Sequence, residues 1–454
     1  MWTTAVSDST PTLHEARRIA ELALPLSLIQ LAQVAISTTD MVMLGWFGST
    51  AIAVGALGYT LFNLLRTMGF GMIIGTSNLV AQDRGEYVGG EHLASALIMA
   101  SIAAVAAAIA LALAGPTLEW FGQDPDVSAQ VREYLIFIAP GYLPLFWFYA
   151  YRGVVVGQRK ANVLLVITLG TVVVNAVLDY GFLFGAFGLP MLGVPGVAAS
   201  SSLSFLLQFI AVAIATHRTT RFAPVRSSVK VLQSLRRLLA IGLPTAGSYG
   251  SEAGFTLSIA LMTGAFGASA LAAHAVVNQI MYVVFMLSIG LSHATSVGVS
   301  EAFGNRDRNG TLRVGRSGFC LGLAVVGLIS ILFCLLPAPV LRLFSLDPAS
   351  AAQAYGIALG LILMAAFIQV FDFIQNIGVG AVRSVGRAGH GFWITIACYW
   401  AFGLPLAWVL GTQTELGAYG VWLGMGAGLV AAGIGMVFLF ERTAAKLEFF
   451  RPAS

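Results

Sequence analysis

Long apolar runs separated by short polar stretches set the pattern of this chain. Twelve such runs lie near 20–46, 51–80, 93–115, 132–156, 162–186, 195–216, 238–264, 270–299, 317–340, 354–381, 391–411 and 418–440. About 20 apolar residues, rising 1.5 Å each as a helix, cross the hydrocarbon core of a bilayer. The runs are too long and too uniformly apolar for the alternating strands of a membrane barrel. Within lipid, a helix satisfies its own backbone hydrogen bonds. The pattern predicts an all-α integral membrane protein of about 12 transmembrane helices.

The pattern also repeats. RRIAELALP at 17–25 matches RRLLAIGLP at 236–244, an offset of 219 residues. The same offset pairs Phe47-Gly48 with Phe266-Gly267, Gly71 with Gly290 and Thr76 with Thr295. With a small shift, Gly193 and Gly196 pair with Gly417 and Gly420. Six helices per repeat is an even number, so both halves start from the same side of the membrane. Two parallel six-helix repeats make a two-lobe bundle suited to alternating access. The expected lobes are 1–216 and 236–454, joined by a basic linker at 217–235.

Composition agrees with a bilayer environment. Only 10% of the 454 residues are charged and 58% are hydrophobic, whereas a soluble domain is roughly a quarter charged. Of the 24 Lys and Arg, 20 fall in segments on the side of the N-terminus. Two fall on the other side, and Arg66 and Arg152 lie within spans. The positive-inside rule then places both termini in the cytoplasm. The polar stretch 1–18 and the long run after it read as an uncleaved first helix. Cys320, Cys334 and Cys398 lie in apolar runs and read as small core residues.

Several function classes are excluded. No Gly-Lys pair exists, so there is no Walker phosphate loop. There is no His-Glu-x-x-His pair, no Gly-x-Ser-x-Gly elbow and no TVGYG-like filter. No catalytic residue, no nucleic-acid partner and no cofactor beyond a coupling ion is expected, and the chain is expected to act as a monomer. A secondary transporter driven by an ion gradient remains.

Four acids fall deep in predicted spans: Asp40, Asp179, Glu252 and Asp372. A charged side chain at the bilayer centre costs about 2.5–3.5 kcal/mol on insertion scales, so such acids survive where they bind a cation or carry a proton. Asn175 and Asp179 are four residues apart and share one helix face. With Asp40 they make a candidate N-terminal cation site, and Glu252 with Asp372 a candidate C-terminal one. Na⁺ at either acid pair, or H⁺, would serve as the coupling ion. Gln33, Asn63, Tyr249, Asn278, Gln279, Gln369 and Asn376 are candidates to line a substrate cavity, against a plainer role in helix–helix hydrogen bonding. His274 reads as structural, and Arg66 reads either as a partner of an N-terminal acid or as a snorkelling side chain. Aromatics such as Phe62, Phe146, Tyr149, Tyr399 and Trp400 suit flat, lipophilic cations.

Three segments carry a family resemblance: LALPLSLIQLAQVAISTTDMVMLGWFG, LPTAGSYGSEAGFTLSIALMTGAFGASALAAHAVVNQI and FDFIQNIGVGAVRSVGRAGHGFWITIACYWAFGLPLAWVLG. They resemble the MATE multidrug and toxic compound extrusion family, and within it the NorM-type bacterial branch, over residues 15–442. The resemblance implies a twelve-helix antiporter of a bacterial inner membrane that exports cationic, amphipathic drugs in exchange for Na⁺ or H⁺. It implies an N-terminal cation site at Asp40, Asn175 and Asp179, with Ser201 where such sites often have Thr. It implies a C-terminal site at Glu252 and Asp372. Arg66 has no counterpart in the family pattern. The alternatives are a lipid-linked saccharide flippase of the same wider superfamily and a membrane sensor. The flippase is disfavoured by acids, rather than basic residues, in the interior. The sensor is disfavoured by the lack of a soluble signalling domain.

Overall fold

The computed structural model describes residues 10–83, 88–118, 125–225, 227–344 and 352–447. The first repeat begins with α1 (Leu13–Phe47), α2 (Ser49–Ile73), α3 (Gly75–Gln82) and α4 (Gly90–Thr117). It continues through α5 (Pro125–Ile138), α6 (Tyr142–Gly157), α7 (Ala161–Phe184) and α8 (Val194–Thr219). The second contains α9 (Ser228–Gly264), α10 (Ala268–Gly304), α11 (Arg308–Leu335), the short α12 (Pro337–Leu343) and α13 (Ala352–Ser384). It ends with α14 (Ala388–Ile396), α15 (Leu404–Thr412) and α16 (Ala418–Ala445). Three expected spans are interrupted helices. Helices α2 and α3 run on as one segment, a 3₁₀ turn at Ala139–Gly141 joins α5 to α6, and a π-helical turn at Ala397–Gly403 joins α14 to α15.

Eleven segments among the described residues are long and apolar enough to cross a membrane, one fewer than the sequence pattern predicts. The difference is α9. At 37 residues it has ample length, but Ser248, Tyr249, Ser251 and Glu252 dilute the apolar character of its middle.

The repeat is visible in backbone geometry. Gly48 and Gly267, one repeat apart, cap α2 and α10 at φ 138° and 104°. Gly193 and Gly417 cap α8 and α16 at φ 64° and 54°, both with strongly negative ψ. A side chain is strained at all four. Three residues on, a Cβ on Gly196 would lie 2.8 Å from the Phe182 carbonyl oxygen, and one on Gly420 would run into that of Leu410. Each repeat thus threads its sixth span against the end of its fifth with the same pair of glycines.

By contact, the chain forms two compact units. One holds residues 28–247, the other 1–27 and 248–454. The division falls inside α1 and α9, three residues after Pro25 and four after Pro244, the prolines within these helices. In the second unit the leading part of α1 packs on α10: Ser27 Oγ donates to Leu287 O at 3.2 Å, and a Cβ on Gly290 would collide with Ser27. At its start, Arg18 pairs with Glu301 at 3.5 Å. In the first unit the leading part of α9 packs on α2 and α3. A Cβ on Gly242 would run into the Met72 carbonyl oxygen, and one on Gly75 would meet Ile241. Ser234 bonds His92 and Ser95 at 2.8 Å each. Helix occupies both ends of the 217–235 stretch, since α8 runs to Thr219 and α9 begins at Ser228. Between them β2 (Phe222–Ala223) pairs in parallel with β1 (Val88–Gly89).

Two of the three cysteines are not core residues. Cys320 and Cys334 are exposed on α11, whereas Cys398 is partly buried and packs against the hydrophobic core. Helix α11 also exposes Leu328, Ile331 and Leu335. In a bilayer an apolar run does not distinguish a core-facing position from a lipid-facing one, which is why the sequence alone misplaces them.

Candidate functional site

In the unit of residues 28–247, α1, α7 and α8 bring four expected residues together. Asp40, Asn175, Asp179 and Ser201 are all buried, at 4% exposure or less. The four-residue spacing on α7 puts Asn175 one turn below Asp179, both facing α8. The carboxylates of Asp40 and Asp179 lie within hydrogen-bonding reach of each other. Two carboxylates that close do not both stay ionised; a shared proton or an intervening cation must relieve them. Ser201 Oγ donates to Asp40 Oδ2 at 3.4 Å, and Ser200 Oγ donates to Asp179 Oδ1. Asn175 Nδ2 donates to Ser200 Oγ at 3.4 Å. Four buried oxygens in this region have no hydrogen-bond partner among the described residues: Asp40 Oδ1, Asn175 Oδ1, Asp179 Oδ2 and Ser204 Oγ.

Beside this cluster is a cavity of about 30 Å³, with room for one or two waters or a small charged group. Its lining includes Gln33, Asp40, Arg66, Tyr134, Ser201 and Gln208. Phe62 forms part of the wall. It stacks on Tyr142 at 4.7 Å and on Phe205 at 6.0 Å, and the Tyr142 hydroxyl donates to its carbonyl oxygen at 3.0 Å. Arg66 Nε and Nη2 donate to Asn63 Oδ1 at 2.9 and 2.6 Å. Arg66 therefore shares one cavity with Asp40, and its bonds to Asn63 help to orient it. Arg152 is buried, donates to Gln30 Oε1 at 3.1 Å and lies 5.0 Å over the Phe70 ring.

In the other unit, Glu252 on α9 and Asp372 on α13 lie within charge–charge reach of each other. Asp372 is buried and Glu252 half-buried. The π-helical turn brings Tyr399 and Trp400 beside them. Trp400 Nε1 donates to Ser251 Oγ at 2.8 Å, and Tyr399 stacks on Phe255 at 4.7 Å.

The remaining cavity candidates divide. Gln33 and Asn63 belong to the N-terminal cavity region. Gln369 Nε2 donates to Met281 O at 2.9 Å and Asn376 Nδ2 to Ser288 Oγ at 2.7 Å, bonds that stitch α13 to α10. Tyr249 hydrogen-bonds Arg383. Asn278 is half-buried and Gln279 is exposed. His274 is structural: its Nδ1 accepts from Trp422 Nε1 at 3.2 Å. Thr38 is exposed and Thr39 half-buried. Both bond backbone carbonyls of their own helix.

Sequence reading passes over Ser200, Ser204 and Tyr134. The serines carry a signal: Ser200, Ser201, Ser204 and Gln208 recur at helical intervals along an otherwise apolar α8. Tyr134 carries none, because its place beside Asp40 depends on how α5 packs. No group of three or more His, Cys, Asp or Glu among the described residues could hold a metal ion. Pairs of acids among neutral oxygens suit protons or weakly held alkali cations.

The matching family model is MatE, over residues 25–181 and 244–409, two stretches that begin on the repeat-related prolines. The chain belongs to the MatE family. A probable multidrug resistance protein NorM from Pseudomonas aeruginosa is 34% identical over 454 residues, covering 97% of this chain and 92% of its own. Among solved structures, the eukaryotic MATE transporter AtDTX14 matches with a TM-score of 0.83 at 16% identity, covering 96% of this chain and 98% of its own. A MOP superfamily transporter from Pyrococcus furiosus, described as having a binding pocket of reversed polarity, matches at 0.84 and 21% identity, covering 95% and 96%. The two structures show the fold. The protein is a multi-pass membrane transporter and not an enzyme.

Proposed function

We propose that the protein is a multidrug efflux antiporter of the bacterial inner membrane, exporting amphipathic, mostly cationic compounds in exchange for Na⁺ or H⁺. The observation that carries this reading is the Asp40–Asp179 pair, two carboxylates in hydrogen-bonding reach inside a lipid-immersed bundle, bordered by oxygens without partners among the described residues. Such a pair is stable only when a proton or cation neutralises part of its charge. The Glu252–Asp372 pair supplies a second such site.

Coupling follows from exclusion. Outward-facing protein takes up the coupling ion at the acids, which removes the negative charge that holds a cationic drug, and the drug leaves. The ion-loaded carrier returns inward, releases the ion down its gradient and binds drug again. The two ligands must favour different states, since a ligand bound equally by both shifts nothing. The carrier works as a monomer with both termini in the cytoplasm and needs no cofactor beyond the coupling ion.

Ethidium efflux tests this, measured in whole cells and inverted vesicles with Na⁺ and pH gradients imposed separately. At least one gradient is expected to accelerate efflux. Indifference to both would reject secondary antiport.

A further inference from the structure

The C-terminal acid pair sits among neutral oxygens that the packing leaves without partners. The Tyr399 hydroxyl is fully buried and has no hydrogen-bond partner among the described residues. The side-chain carbonyl oxygen of Gln369 is likewise buried and unpartnered among them. A buried polar atom without a partner carries its desolvation penalty uncompensated, so such atoms call for a role.

The local backbone is built around Tyr399. A π-helical turn is costly and tends to appear at functional sites, because its extra residue re-aims the side chains it carries. Here the turn spans Ala397–Gly403. It is packed tightly enough that a Cβ on Gly403 would lie 3.0 Å from Gly428 Cα. Phe255 stacks on Tyr399 with ring planes 20° apart. Trp400 is tied to Ser251, the residue before Glu252. Tyr399 thereby lies within charge–charge reach of both Glu252 and Asp372. Gln369 precedes Asp372 by three residues on α13 and shares its face. The bond from Gln369 Nε2 to Met281 O fixes the amide.

We propose that the Tyr399 hydroxyl and the Gln369 carbonyl oxygen are neutral ligands of a sodium ion that Glu252 and Asp372 hold. This rests on the cation-coupled reading above and assigns the ion to this site. Na⁺ is a hard cation served by several oxygens. Neutral donors complete its shell without adding charge to the membrane interior. The π-helical turn is what places Tyr399 beside the acids.

The test is Na⁺ titration of the purified full-length protein, with choline replacing Na⁺ at constant ionic strength. It is read by tryptophan fluorescence, with Trp400 as the reporter, and independently by ²²Na⁺ binding. Wild type is expected to saturate, and Glu252→Gln to lose the response. Tyr399→Phe keeps the ring and its stacking; it is expected to raise half-saturating Na⁺ on the order of tenfold with an unchanged melting temperature. Gln369→Leu is expected to weaken binding in the same direction. A Tyr399→Phe titration that overlays wild type would overturn the assignment of Tyr399. Absence of any wild-type Na⁺ response would overturn the sodium site, whereas the efflux reading would still be decided by ethidium export under a pH gradient.

Discussion

Asp40 on α1 and Asp179 on α7 lie in hydrogen-bonding reach of each other, and adjacent serines of α8 serve them separately, Ser201 donating to Asp40 and Ser200 to Asp179. The two serines are therefore not interchangeable. Ser200 also accepts from Asn175, so its hydroxyl connects three polar groups, whereas the Ser201 bond is long at 3.4 Å.

Ser200→Ala removes a hydrogen bond to a buried carboxylate, an interaction worth about 1.5–3 kcal/mol. The ethidium efflux rate is expected to fall roughly tenfold or more. Ser201→Ala is expected to have a smaller effect. Efflux by both variants should be normalised to the amount of protein in the membrane. Equal behaviour of the two serine variants would contradict the division of labour seen on α8.

Asp372→Asn and Glu252→Gln each keep the side-chain shape and remove the charge. Both are expected to abolish drug resistance in cells while the protein still reaches the membrane at wild-type level. Growth at inhibitory drug concentrations, with membrane content measured in parallel, is the readout. Wild-type resistance in both variants would remove the C-terminal site from the mechanism.

Glycine packing gives a stability prediction with an internal control. A Cβ on Gly242 would run into the Met72 backbone carbonyl, which cannot swing aside as a side chain would. Gly242→Ala is expected to cost about 1–3 kcal/mol, the usual penalty for overpacking. Gly327 on α11 has nothing within 4 Å of an added Cβ. Gly327→Ala is expected to be neutral or to gain up to about 1 kcal/mol from helix propensity. Melting temperatures in detergent, followed by fluorescence-detected gel filtration, should separate the two by several degrees.

Cys320 and Cys334 are exposed on a helix that also exposes Leu328, Ile331 and Leu335. They are expected to react with a membrane-permeant maleimide in intact membranes and to resist a charged thiosulfonate. Labelled peptides can be quantified by mass spectrometry. Rapid labelling of either cysteine by the charged reagent would place that face in water.

Much of the fold is legible in the sequence because bilayer thickness and backbone hydrogen bonding leave few options for a chain this apolar. The repeat is legible because Gly48, Gly193, Gly267 and Gly417 hold backbone conformations that other residues resist. The four acids stand out because each is costly in lipid. What the sequence hides is orientation about each helix axis. Cys320 and Gly322 are neighbours in an apolar run, yet one is exposed and the other packs on Ile377. Tyr399 reads as one more aromatic until the π-helical turn sets it beside Glu252 and Asp372. The boundary of the units is hidden as well, because nothing in the polar linker indicates that the division falls within α1 and α9.

That division bears on how the protein is made. The unit of residues 28–247 is complete only when the leading part of α9, the start of the second repeat, has left the ribosome. The other unit needs residues 1–27, which are synthesised first and must wait for the whole first repeat and the second helix of the next before their partners on α10 exist. A chain cut between α8 and α9 therefore yields two fragments that each lack a segment carried by the other. Each repeat thus completes its packing only with a segment that the other supplies.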